Sequence, residues 1–271
     1  MLPVDAARRN PFCKDLMKDQ TVIVTGGGTG IGRATTVELL QAGARVAIGS
    51  RKPEHLEPTV KELAPYGEVI ALPCDIREPD SVAAFVGGVL ERFGRIDVLV
   101  NNAGGQFPSP AQHLTPRGFE AVVRNNLNGT FFMTREVAVR AMIPQASGSI
   151  VNVIANIARG FPGRAHTGAA RAGVENLTKS LAVEWAQFDV RVNAVAPGII
   201  HSSGIAQYPP ELVASSVART PQKRIGTVEE VAHAVVYLAS PAAAFITGTT
   251  LQIDGGASLW GDSWLIPDRT P

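Results

Sequence analysis

The chain has 271 residues, 45% of them hydrophobic, with 27 glycines and a formal net charge of +1. That length allows one large core or two small domains. The near-neutral charge gives no electrostatic case for a nucleic acid or an acidic membrane as partner, and no stretch has the length and apolarity of a membrane span.

Residues 1–20 read as a polar tail without the apolar segment of a secretory signal, and the expected compartment is the cytoplasm. The cysteines are Cys13 and Cys74. Neither sits in a metal-ligand spacing, and both are expected as free thiols. TVIVTG (21–26) predicts a buried strand, and IGRATTVELLQAG (31–43) a helix closed at Gly43. RVAIGS (45–50), EVIALPCD (68–75) and IDVLVNNAG (96–104) predict the next strands. GSIVNVI (148–154), VRVNAVAPG (190–198) and GTTLQIDGG (248–256) complete the set. Helical segments fall at 79–93, 117–142, 168–186 and 228–239. Strands apolar on both faces, alternating with helices, mean a parallel sheet covered on both sides. The fold class is α/β: one Rossmann domain over 21–256, a doubly wound parallel sheet with helices on both faces. A C-terminal tail follows at 257–271. The least regular stretch, 199–222, is expected to be a mobile substrate loop carrying a short helix beyond a strand end, where such sheets bind ligands.

TGGGTGIG (25–32) lies directly between the first strand and the first helix. Gly26 permits the tight turn, Gly30 lets backbone approach a pyrophosphate, and Gly32 lets helix pack on strand. Thr29 and Ile31 flank that approach, and the helix N-terminus offers free N–H groups to phosphate. The second strand ends in Ser50, Arg51 and Lys52, where a site for NAD usually carries an acid. A guanidinium beside a hydroxyl suits a 2′-phosphate, so the expected cofactor is NADP(H). The alternative for Arg51 is a solvated residue opening a helix.

With these motifs in order, the chain resembles the short-chain dehydrogenase/reductase family from about Thr21 to Trp260. The resemblance implies roles residue by residue. CDI (74–76) matches the adenine-binding turn, with Asp75 on the adenine ring and Ile76 beside it. NNAG (101–104) places Asn102, Ala103 and Gly104 along the cofactor. NNLNG (125–129) puts Asn126 at the catalytic-asparagine position, mid-helix, holding a water through its backbone. Pro197, Gly198 and Ile200 match the segment against the nicotinamide, with Ser202 just beyond. The family forms dimers or tetramers through its long helices, so a homo-oligomer is expected.

Ketone reductases of that family use Ser and a Tyr-x-x-x-Lys pair. ARAGVENLTKSLAVEWA fixes the register, which puts Thr167 at the tyrosine position and Arg171 at the lysine position. Ile154 and Ala155 stand where the serine should be. The tyrosines are Tyr66, Tyr208 and Tyr237, and none can be slid into this helix. Ketone reduction makes a strongly basic alkoxide and needs a phenol as acid. Reducing a C=C bond conjugated to a thioester makes an enolate, a weaker base that needs chiefly hydrogen-bond donors at its oxygen. NNAGGQFPSPAQH (101–113), GFPGRAHTGAARAGVENLTKSLAVEWA (160–186) and KRIGTVEEV (223–231) resemble the branch that reduces 2-enoyl-CoA and 2,4-dienoyl-CoA thioesters, peroxisomal trans-2-enoyl-CoA reductase among them.

The expected activity is therefore NADPH-dependent reduction of the C2=C3 bond of a trans-2-enoyl thioester. Its rivals are a ketone or alcohol oxidoreductase with an atypical catalytic set, and an inert NADP(H)-binding protein. Arg171 is assigned to the cofactor ribose and the positive potential near the nicotinamide, the alternative being a surface pair with Glu175. Thr167 is expected as donor to the thioester oxygen, or as a helix N-cap. Gln106 and His166 are substrate-side candidates, with a plain loop residue and a structural histidine as alternatives. Glu175 and Tyr208 are candidate proton donors. Glu175 otherwise meets solvent or a subunit contact, and Tyr208 otherwise serves as an apolar lid. No metal is expected. The tail is expected to pack on a neighbouring subunit or to border the substrate mouth.

Overall fold

The computed structural model describes residues 13, 15–51, 54, 56–202, 209–260 and 264–268. Its first half alternates strictly: β1 (Thr21–Thr25), α1 (Gly30–Gln41), β2 (Arg45–Ser50), α2 (Leu56–Leu63), β3 (Val69–Pro73), α3 (Pro79–Phe93) and β4 (Val98–Asn101). A long helical run follows. It is built from α4 (Pro116–Val123), a π turn at Arg124–Asn128, α5 (Gly129–Val137), a second π turn at Ala138–Met142, and α6 (Ile143–Gln145). Then come β5 (Gly148–Val153), α7 (Ala165–Glu184), β6 (Val190–Pro197), β7 (Ile200–His201), α8 (Pro210–Ala218), β8 (Gly226–Thr227), α9 (Val228–Ala239) and β9 (Thr250–Ile253).

The main sheet has seven strands in the order β3-β2-β1-β4-β5-β6-β9, all parallel. Both faces are apolar because both are covered. Val22 and Val24 of β1 join Val98 and Val100 of β4 under Leu39 of α1 and Val231 and Val235 of α9. Ile23 and Leu99, the residues between, point the other way, into Phe85 and Val89 of α3 and Met133 and Val137 of α5. Period-2 alternation thus feeds two cores from one strand. The order of strands reverses between β1 and β4, and a crevice beyond their C-terminal ends is where such sheets take ligands.

The expected strands are all present, some shorter by a few residues at one or both ends. The 199–222 stretch is more ordered than expected in its described part. β7 pairs in parallel with β8, Ile200 opposite Gly226 and His201 opposite Thr227, and α8 fills Pro210–Ala218. A capping box fixes the start of α9: the Thr227 hydroxyl accepts from the Glu230 N–H, and the Glu230 carboxylate accepts from the Thr227 N–H.

Half-buried Arg191 of β6 ties α9 to the sheet. Its Nη1 donates to the carbonyls of Leu238 and Ile246 at 2.9 and 3.2 Å. Its Nη2 reaches the Ser149 hydroxyl at 3.0 Å and the carbonyls of Ala239 and Ser240 at 3.3 Å. The cation therefore sits on the C-terminal carbonyls of α9, where the helix dipole is negative. Among the described residues, no helix is long and apolar enough to cross a membrane.

Candidate active site

The glycine loop leaves β1 and opens α1 without a side-chain cap. Thr29 holds the N-cap position in extended conformation (φ −143°), its side chain makes no capping bond, and the first turn carries no acid. Gly30 has φ +53°, which favours glycine. A Cβ built there would meet only the Ser202 Cβ, 3.9 Å away. Ser202 thus lies about one methyl group away from Gly30, and Ile31 beside it is half-buried. Thr25, which sequence reading passed over, holds this geometry. Its Oγ1 accepts from the N–H groups of Asn102 and Ala103 at 3.0 and 2.9 Å. Asn102 returns its amide to the carbonyls of Thr25 and Gly26. The Asn102 side chain therefore braces the glycine loop at Gly26.

Beyond β2, Arg51 is exposed and Lys52 lies outside the described residues. The Ser50 carbonyl accepts from the Cys74 N–H at 2.9 Å, which brings the ends of β2 and β3 together. The Asp75 carboxylate is engaged by Arg77 through its N–H at 3.0 Å and its guanidinium Nε at 2.9 Å. The Arg77 hydrogen bonds hold that carboxyl below its usual pKa, against a smaller desolvation effect. Ile76 beside it is buried. Burial, with the Asp75 charge adding to it, pushes the Cys74 thiol up to about 12, so it stays protonated and unreactive.

Arg171 reaches into the crevice from α7. Its Nη1 donates to the Val153 carbonyl at 2.9 Å, where β5 ends. The residue as a whole is half-buried, and its guanidinium lies deep enough that desolvation lowers the pKa to about 10, still a cation at neutral pH. Gly104 makes this approach possible: a Cβ there would lie 2.5 Å from Arg171 Nη2 and 2.6 Å from Asn126 Oδ1. Asn126 itself is 1% exposed, in the π turn at Arg124–Asn128. Its Nδ2 donates to the carbonyls of Gly105 and Val122 at 2.7 and 2.9 Å, and its Oδ1 accepts from the Gly105 N–H. Its backbone oxygen accepts from the Thr130 hydroxyl at 2.9 Å. Asn126 thus positions the loop after β4.

Other expectations need correction. Glu175 does not pair with Arg171; its carboxylate accepts from Lys179 one turn further along α7 at 2.9 Å. Thr167 is not the N-cap, a place Arg164 takes. The Thr167 side chain is 2% exposed. Its N–H donates to His166 Nδ1 at 2.8 Å, with the hydroxyl 3.3 Å from the same nitrogen. His166 is fully buried, its ring edge-on to Phe107 at 4.6 Å. Tyr208 falls outside the described residues. Tyr237 sits on α9 over the opposite core, and Tyr66 ends a turn after α2.

The far wall joins β6 to the end of the chain. Gly198, just past Pro197, donates to the Ile253 carbonyl, and the Asn156 amide donates to Asp254 Oδ2 at 2.9 Å. A polar cavity of about 330 Å³ lies between Ile199, Arg224, Gly226, Glu230 and Asp254. Lys223 has φ +51°, donates to the Ala218 carbonyl ending α8 at 2.7 Å, and lies 4.7 Å from the Trp260 ring and 3.9 Å from Asp268. In its described part the tail therefore folds back on its own chain beside α8. No His, Cys, Asp or Glu cluster suited to a metal occurs among the described residues.

Residues 26–258 match the family model described as enoyl-(acyl carrier protein) reductase. The chain belongs to the short-chain dehydrogenase/reductase family. It is an oxidoreductase, and the family implies a nicotinamide cofactor. A probable 2,4-dienoyl-CoA reductase of Bacillus subtilis is 37% identical over 257 residues, 93% of this chain and 99% of that protein. The 3-oxoacyl-[acyl-carrier-protein] reductase FabG of Thermotoga maritima is 38% identical over 242 residues, 89% of this chain and 98% of that protein. The solved citronellol catabolism dehydrogenase AtuB of Pseudomonas aeruginosa is 47% identical, with a TM-score of 0.83 over 92% of this chain and 98% of its own. These relatives share the family and differ in the substrate named.

Proposed function

We propose that this short-chain dehydrogenase/reductase reduces the C2=C3 bond of a trans-2-enoyl-CoA or similar enoyl thioester with NADPH. The observation that carries the reading is the catalytic helix: a buried threonine and a deep arginine replace the phenol and the amine that ketone reduction uses. The protein residues fit the cofactor. The uncapped N-terminus of α1 and the positive-φ glycine that opens it suit a pyrophosphate. Ser50 and Arg51 suit a 2′-phosphate, and Asp75 and Ile76 the adenine. Pro197, Gly198 and Ile200 form the nicotinamide wall. NADPH bound there would supply the hydride to C3, and C2 would take its proton from a modest acid or from water. Arg171 holds the ribose side and lends positive potential where the carbonyl oxygen gains enolate charge. Gln106 belongs to the acyl side with His166. The exposed Phe131, Val139 and Val183 support a homo-oligomer, a dimer or tetramer, formed through the long helices.

The test is NADPH oxidation by the purified protein with trans-2-enoyl-CoAs and 3-ketoacyl-CoAs, and NADP+ reduction with citronellol alongside. Turnover of the enoyl series is expected. Turnover confined to ketone or alcohol would replace this reading with a carbonyl oxidoreductase. NADPH binding without turnover would leave a binding protein. Cofactor choice has its own check. Arg51→Ala is expected to raise the KM for NADPH roughly tenfold or more, the usual loss of a charge-assisted hydrogen bond, and to leave that for NADH unchanged. An equal effect on both would remove Arg51 from the phosphate site.

A further inference from the structure

His166 is fully buried, yet one of its ring nitrogens has no partner. Nδ1 accepts the Thr167 N–H at 2.8 Å, which requires a lone pair there and places the ring proton on Nε2. Nε2 is buried and makes no hydrogen bond. An N–H donor left so is costly unless something arrives to accept from it. Its aromatic neighbour Phe107, at 88° and 4.6 Å, offers at most a weak π acceptor. Phe107 is itself 41% exposed, so this ring stands between His166 and solvent.

The short segment Gly104–Phe107 links this donor to the cation. It begins against the Arg171 guanidinium and the Asn126 amide and ends on the His166 ring. Two residues on, the Ser109 N–H donates to the Gly163 carbonyl at 2.8 Å, which ties the same loop to the entry of α7. Along α7, His166 and Arg171 are five residues apart, about 7.5 Å of helix rise.

We propose that His166 Nε2–H is the hydrogen-bond donor to the acyl carbonyl oxygen of the substrate, and that Phe107 is the lid that covers this donor until the acyl group displaces it. The inference rests on the enoyl-thioester reading. It gives His166 the task that sequence reasoning gave to Thr167, whose N–H instead fixes the donating tautomer. His166 donates to the enolate oxygen, and Arg171, on another face of α7, acts through its positive potential. The histidine keeps its proton, so that the proton taken up at C2 comes from water.

Isosteric variants separate this role from a structural one. In His166→Asn the side-chain oxygen can still accept the Thr167 N–H, but nothing stands at Nε2. In His166→Gln the amide nitrogen reaches the Nε2 position. His166→Asn is expected to lower kcat on a trans-2-enoyl-CoA roughly 10²-fold, the usual loss of one oxyanion donor, with the Kd for NADPH unchanged. His166→Gln is expected to recover most of that loss. Phe107→Ala is expected to lower the KM for the enoyl-CoA and leave kcat in place. Asn and wild type equal in kcat would overturn the proposal, and so would equal damage by Asn and Gln tracking a shared fall in Tm. A second readout does not need turnover. Crotonyl-CoA added to the NADP+ complex is expected to shift the His166 Nε2–H resonance in imidazole 15N spectra. If wild-type protein reduces no enoyl-CoA, the enoyl reading fails, and the same titration with a 3-ketoacyl-CoA decides whether Nε2–H meets a carbonyl. No shift with either thioester sinks the donor role.

Discussion

Arg171→Met is expected to lower kcat/KM on the reduced thioester by roughly 10³-fold, with the fold retained. The expectation follows from where the charge is. Among the described residues the guanidinium donates to the Val153 carbonyl alone, and it is otherwise deep in the crevice. A cation so placed is maintained against its own desolvation, which is why its pKa falls to about 10. Methionine fills similar volume without the charge and leaves one carbonyl unpaired. The stability loss should therefore be modest and the catalytic loss large. Arg171→Lys tests the geometry, because an ammonium cannot reproduce the planar fork. The pH profile carries the sign. The desolvated guanidinium is charged below about pH 10 and loses its proton above it, so the rate attributable to it is constant through neutral pH and falls as the pH approaches 10. Stopped-flow NADPH oxidation of both variants against pH is the measurement. An Arg171→Met enzyme with wild-type kcat/KM would remove the cation from the mechanism.

Arg191→Met is expected to do the opposite: large damage to stability and little to chemistry. Its guanidinium satisfies four carbonyls and the Ser149 hydroxyl where α9 ends against β5 and β6. No carboxylate among the described residues pairs with it, so neutral carbonyls and one hydroxyl supply its compensation. Methionine would leave several buried acceptors unpaired, a loss of about 3 kcal/mol at the values typical of such groups, or a fall in Tm of roughly 6–10 °C for a chain of this size. Arg191→Lys should fall between, since one ammonium cannot reach acceptors at both ends of the fork. Calorimetry of the three proteins decides it. A Tm within a degree of wild type for Arg191→Met would mean that water serves those carbonyls equally well.

What the sequence disclosed follows from which interactions leave a pattern. β2, α3 and α9 carry their predicted bounds because their apolar periodicity and their flanking residues agree. The absent tyrosine was legible because the helix after it sets the register. The start of α7 was placed three residues late, at 168 against Ala165, since Arg164 gives no capping signal and the buried His166 and Thr167 do not look like a helix opening. Backbone acceptors were invisible. Nothing in the types of Gly105, Val153 or Leu238 says that Asn126, Arg171 and Arg191 end on their main-chain atoms. The tautomer of His166 was unreadable for the same reason, being set by the N–H of the next residue.

Lys223 has a wider consequence. One ammonium group joins the end of α8 to Trp260 and lies close to Asp268, so the framing helix of the crevice is moored to the last stretch of chain. The glycine loop and its Asn102 brace belong to the opposite end of the sheet order, at β1 and β4. Replacements in the terminal segment are therefore expected to loosen the mooring of α8 and to leave the Asn102 brace of the glycine loop intact.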